Sequence, residues 1–149
     1  MTRPVANIVS LTLPLPPSVN AAFASGKAGS KFTRKTAHYD FWLQKVRDMH
    51  GNGSQLPVLA PGAYGLLLTL SMRMRGDIDN RIKLVSDILC RPGPSHPHRL
   101  GVVSDDGAMK AIYIETGTMT WPAVDEIAVG VVTLDHWARV LHTTMELRL

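Results

Sequence analysis

The 149-residue chain has very little cysteine: Cys90 is its only one. This excludes a disulfide framework within one chain and points to a reducing compartment, the cytoplasm. Long hydrophobic runs are also missing. None approaches the ~18 residues that a membrane span needs, so no membrane association is expected. The opening stretch, MTRPVANIVSLTLPLPP, has one early arginine but no long apolar core and no small-residue cleavage site. It reads as a mature strand and not as a signal peptide. No internal repeat and no composition shift marks a domain boundary. Aromatic residues make up only 6% of the chain, yet hydrophobic residues reach 45%, which is enough for a core and excludes global disorder. The length suits one domain spanning 1–149.

Charge is the first positive signal. The net charge of +4 favours a polyanionic partner only weakly. Its distribution is more informative. The segment KAGSKFTRK carries Lys27, Lys31, Arg34 and Lys35 and no acid. Arg73 and Arg75 directly precede an acidic cluster. The plain alternative is that these residues decorate solvated loops and strand ends.

Periodicity predicts a mixed α/β (α+β) fold. Residues 5–13 alternate as a strand with Val9, Leu11 and Leu13 on one side, ended by Pro14, Pro16 and Pro17. Residues 18–32 read as a mobile loop. A helix is expected from Thr33 or Thr36, with Tyr39, Trp42, Leu43, Val46 and Met49 in one stripe and Gly51–Gly53 as its stop. Residues 66–75 read as a strand with Leu66, Leu68, Leu70, Met72 and Met74 on one face. A second helix is expected over 79–90, then an irregular RPGPSHPHRLG loop. Strands are expected over 111–116 and 126–134. A final helix after Asp135 would place Trp137, Val140, Leu141 and Met145 together, although Thr143 and Thr144 are weak helix formers. A small mixed sheet packed with two or three helices accounts for all of this.

The segment RGDIDNRIKLVSD carries the chemistry. Asp77 and Asp79 lie two apart at a strand-to-helix junction, where an extended chain would aim both carboxylates to one side. As single residues they read as helix caps. On a helix, however, Asp79, Asn80, Lys83, Ser86 and Asp87 share a face about 120° wide, so a lysine stands one turn beyond the acids. The bland account of Lys83 is an i,i+4 ion pair with Asp79 or Asp87, worth roughly 0.3–0.5 kcal/mol. It leaves the second upstream carboxylate unexplained. Arg81 falls among the apolar positions, as a snorkelling residue or a contact to a partner subunit. Downstream, Asp105 and Asp106 form an Asp-Asp-Gly string that alone reads as a turn. Taken together, Asp77, Asp79 and the Asp105–Asp106 pair make a hard-oxygen set suited to Mg²⁺. His96 and His98 sit in a proline-rich loop without a convincing ligand set.

These residues resemble those of the RusA-type crossover (Holliday) junction endodeoxyribonucleases. LTLPLPPSVN is similar to that family's strand and PPS-N turn, and KFTRKTAHYDFWLQKV to its basic loop and first helix. The most specific likeness is DIDNRIKLVSD followed by VVSDDGAMK, which resembles the family's D-x-D-N-x-x-K helix start and later Asp pair. The likeness spans most of residues 8–115. It departs in a longer helix-to-Asp gap, in the Gly-Ala-Met that follows Asp106, and in an unfamiliar region after Thr116.

The resemblance implies a homodimer that resolves four-way DNA junctions by paired symmetric nicks with Mg²⁺ or Mn²⁺, in DNA recombination and repair. The essential acids would fall on Asp77, Asp79 and Asp106, and the functional lysine on Lys83. Asn80 and Asp105 would support them. Lys27, Lys31, Arg34 and Lys35, with Arg73 and Arg75, would meet the DNA. A metal-activated water would attack the phosphodiester while Lys83 offsets transition-state charge. Two alternatives stay open: a junction-binding protein without catalysis, and another metal-dependent phosphodiesterase acting on flaps or nucleotides.

Overall fold

The computed structural model describes residues 2–25 and 33–146. Its centre is a four-stranded sheet in the order β2 (Ile8–Pro14), β8 (Glu126–Thr133), β6 (Tyr64–Leu70), β7 (Met109–Thr116). β2 and β6 both flank β8 antiparallel, whereas β6 and β7 run parallel. Two small ribbons accompany it. β1 (Val5–Ala6) pairs parallel with β5 (Val58–Leu59), and β3 (Phe23–Ser25) pairs antiparallel with β4 (Thr33–Lys35). The helices are α1 (Val19–Ala22), α2 (Ala37–His50), α3 (Asp79–Leu89) and α4 (Leu134–Glu146). The mixed α+β reading is thus borne out.

The register explains the alternation. Val9, Val131 and Leu66 stand side by side across three strands, as do Leu11, Val129 and Leu68, and Leu13, Ile127 and Leu70. Side chains level with one another on adjacent strands share a face. These three rows are buried, and Tyr39, Trp42 and Val46 from α2 and Leu84, Val85, Ile88 and Leu89 from α3 join them in one core. Trp42 satisfies its buried ring N–H by donating to the Pro14 carbonyl at 2.9 Å.

Several boundaries differ from expectation. The first strand breaks at Asn7, so Val5 belongs to the separate β1 and is exposed. Residues 18–25 are not loop: Ser18 caps α1 by accepting the Ala21 N–H, and β3 follows. Thr36, not Thr33, caps α2, and Met49 leaves the predicted stripe for solvent. β6 ends at Leu70. Met72 to Arg75 alternate like a strand, but Ser71 turns the chain, its carbonyl accepting the Met74 N–H at 3.1 Å and its hydroxyl the Arg73 N–H at 3.1 Å. Thr143 and Thr144 are tolerated in α4 because their hydroxyls donate to the carbonyls of Arg139 and Val140, one turn back.

α4 folds back on the start of β6. There Trp137 lies where a side chain at Gly65 would be: an added Cβ would stand 2.4 Å from the indole Cε3. Glycine is therefore required for contact and not for backbone freedom. Gly65→Ala should destabilise the protein by about 1–3 kcal/mol through overpacking and displace Trp137. Denaturant unfolding followed by tryptophan fluorescence measures both effects; an unchanged midpoint would contradict this packing.

Candidate functional site

The turn after β6 delivers the acidic segment. It carries Arg73, Arg75 and Asp77 exposed, passes through Gly76 at φ +95°, and enters α3. Ile78 is already helical at φ −75°, ψ −38°, so Asp79 is the first helical residue and not a cap. Its carboxylate accepts the neighbouring Asn80 N–H at 3.0 Å. Two sequence expectations are corrected here: the chain between Asp77 and Asp79 is not extended, and no side chain caps α3. Both acids stand in solvent at a helix N-terminus, where unpaired N–H groups and the helix dipole favour negative charge.

Further along α3, Lys83 is exposed and pairs with Asp87, Nζ to Oδ2 at 3.6 Å. Such an exposed i,i+4 pair is weak and leaves the lysine free to move. Asn80 is half-buried. Ser86 does not share the open face: it is 6% exposed and donates to the Lys83 carbonyl. Arg81 has an acceptor within its own chain. Its guanidinium donates to the Pro16 carbonyl and ties the start of α3 to the proline turn after β2.

Asp105 caps a 3-10 turn over Asp106–Ala108, immediately before β7, and Asp106 begins it. The Asp105 carboxylate accepts the Gly107 N–H at 3.1 Å, and this backbone bond chiefly holds its pKa below the usual carboxylate value. Tyr64 donates its hydroxyl to the Asp105 carbonyl at 3.2 Å. Burial, then the nearby Cys90, Asp106 and Asp105, push the Tyr64 pKa up. Burial, then Asp106, raise that of Cys90 to about 11. Asp106 therefore sits beside Tyr64, at the start of β6, and Cys90, at the end of α3. Local sequence carries no signal for this Tyr64–Cys90–Asp106 neighbourhood, because three separate segments create it.

The topology then separates the expected site. Asp77 and Asp79 follow the end of β6. Asp106 precedes Met109, which pairs with Tyr64 at the other end of that strand. A seven-residue strand spans roughly 20 Å, and the eleven residues of α3 about 16 Å. One chain thus brings Asp77, Asp79, Asn80 and Lys83 together but leaves Asp105 and Asp106 at the opposite end of the helix. Among the described residues, no group of three or more His, Cys, Asp or Glu is arranged to hold a metal ion. Asp77 and Asp79 alone still suit Mg²⁺, which is commonly held by one or two carboxylates plus water and substrate phosphate.

Of the expected DNA contacts, Arg73 and Arg75 are exposed beside the acid pair. Arg34 and Lys35 belong to β4, whereas Lys27 and Lys31 lie outside the described residues. His98 packs edge-on to Tyr39, its Nε2 3.4 Å from the phenol oxygen, with His96 edge-on to it. These contacts hold both rings against α2 and each other. No protein-family model matches the chain, and no curated protein matches it. No helix among the described residues is long and apolar enough to cross a membrane.

The Cys90 environment predicts inertness. Its raised pKa keeps the thiol protonated, so disulfide reagents should modify it far more slowly at pH 8 in the folded protein than in urea. Because the folded pKa lies above the unfolded one, the stability tied to this group is complete below about pH 9. It should fade as pH rises toward about 11. Equally fast labelling in the two states would refute the buried setting.

Proposed function

We propose that this protein is a metal-dependent endonuclease of branched DNA, of the RusA type. The observation that carries the reading is the exposed Asp77–Asp79 pair at the N-terminus of α3, flanked by exposed Arg73, Arg75 and Lys83. The arrangement has the polarity that a phosphodiester requires. Cationic side chains and helix N–H groups attract the phosphate, and the carboxylates can hold a divalent cation against it. Bound Mg²⁺ would supply an activated water and polarise the phosphate. Lys83, held only by a weak pair with Asp87, is free to turn toward the charge that develops.

A homodimer is integral to the reading. Since Asp106 lies at the far end of α3 from Asp77 and Asp79, Asp106 of a second copy is the one that would complete the acidic set. A two-fold arrangement also suits two equivalent cuts in a four-way junction. The lone buried Cys90 accords with action in the cytoplasm. The position of Asp106 equally favours a second reading, a junction-binding protein that does not cut.

Labelled four-way junctions, flaps and linear duplex, each with and without Mg²⁺, separate these outcomes. Symmetric Mg²⁺-dependent nicks confined to the junction are expected. Equal cutting of all three substrates would replace the junction with a general phosphodiester. Tight binding without cutting would establish the non-catalytic reading. Asp79→Asn should abolish cleavage while the protein stays folded, and Lys83→Ala should slow it by about 10²–10³-fold. Mixing Asp79→Asn with Asp106→Asn protein tests the shared site. Mixed dimers should regain one working site of two and produce single nicks, and no recovery would place all the acids within one chain.

A further inference from the structure

A cavity of about 390 Å³ opens away from α3's acidic N-terminus, lined by Arg3 and Arg91 among other residues. Leu59 and Val103, both buried, supply apolar lining, and Pro61 and Pro92 are exposed at its edge. Arg3 is held rigidly. Its Nε donates to the Leu56 carbonyl at 2.8 Å, Nη1 to Leu100 at 3.1 Å and Nη2 to Pro57 at 3.4 Å. A guanidinium has five N–H donors, so two remain. Gly101, at φ +67°, makes room for it: a Cβ there would lie 3.0 Å from Nη1.

A structural staple explains those three bonds but not the rest of the site. Arg91 comes from a different segment and is exposed. No acidic side chain among the described residues pairs with either arginine. Burial without a counter-charge lowers the Arg3 pKa, a cost that an anion would relieve. Two arginines and several apolar residues line one cavity, which suits a ligand with an anionic end and an apolar body. The volume lies near the small end of ligand pockets, roughly 300–1,000 Å³, and is far too small for duplex DNA.

We infer that this cavity binds a single unpaired deoxynucleotide, its phosphate on Arg3 and Arg91 and its base against the exposed rings of Pro61 and Pro92. The choice of a nucleotide rests on the proposed action on branched DNA, where strands part and bases can leave the stack. Bidentate arginine contacts suit the phosphate, and an apolar wall accepts any base without selecting its sequence.

Calorimetric titration of the full chain, without Mg²⁺, tests this with dAMP, deoxyadenosine and inorganic phosphate. Saturable dAMP binding at least about tenfold tighter than that of either fragment is expected, as is a loss of about tenfold or more in Arg91→Ala. Arg91 is exposed, so that variant should fold, and its unchanged melting temperature would verify this. Asp79→Asn should bind dAMP like the parent protein. Phosphate binding as tightly as dAMP, no effect of Arg91→Ala, or no saturable binding would each overturn the inference. Cleavage is not the readout. A failed nuclease assay therefore leaves the cavity result standing, and a failed titration leaves the Asp79 assay standing.

Discussion

The parallel pairing of β6 with β7 is the constraint on which the rest of the molecule depends. Two parallel neighbours cannot be joined by a tight turn; the chain must travel back the length of the strand first. α3 makes that return. Its direction is therefore fixed opposite to the strands, with its N-terminus at the end of β6 and its C-terminus at the start of β7. The same geometry makes the helix bury one flank, and Leu84, Val85, Ile88 and Leu89 lock it over the sheet. Only the ridge carrying Asp79 and Lys83 stays in water.

The other elements hold that crossover in place. Arg81 fastens the start of α3 to the proline turn that ends β2. At the far end, the N–H groups of Leu100, Gly101, Val102 and Val103 bond to the carbonyls of Ile88, Leu89 and Cys90, which absorbs much of the orphaned acceptor capacity of the helix terminus. The long loop between α3 and β7 is thus anchored where it matters. Arg3 extends this anchoring by joining residues 56, 57 and 100. Arg3 does this without an acid partner among the described residues, and partial burial lowers its pKa.

Local sequence made some of this legible and not the rest. Alternation identified Val9, Leu11, Leu13 and Leu66, Leu68, Leu70 as core, because burial of one sheet face imposes a period of two. Helical spacing located α2 and α3 almost to the residue. It failed where two structures share one pattern: Met72 to Arg75 alternate as a strand would, yet the hydroxyl and carbonyl of Ser71 set a turn. It failed again at Asp79, because an aspartate can serve equally as a cap or as a first-turn residue, and Ile78 had already entered the helical region. The largest gap was the distance between the two acidic segments. Strand pairing is a non-local choice that no window of residues contains, so Asp77 and Asp106 looked like neighbours along one motif while the topology set them at opposite ends.

That separation gives the two ends different chemistry. In open α/β sheets, ligands gather beyond the carboxyl ends of parallel strands, where helix N-termini point toward them. Asp77 and Asp79 occupy that end, beside Arg73 and Arg75. Asp106 occupies the opposite end, where the helix terminus carries partial negative charge and where Tyr64 and Cys90 both have raised pKa values. A cation of the same chain stands close by, since Lys110 donates to the Gly107 carbonyl at 3.0 Å, one residue beyond Asp106. The positive end of α3 holds exposed acids, and its negative end holds another acid with the two unpaired arginines of the cavity in the adjoining loops. The parallel pairing of β6 with β7 sends α3 back along the strands, and so sets an exposed carboxylate pair beside two arginines at one end and an acid near the arginine-lined cavity at the other.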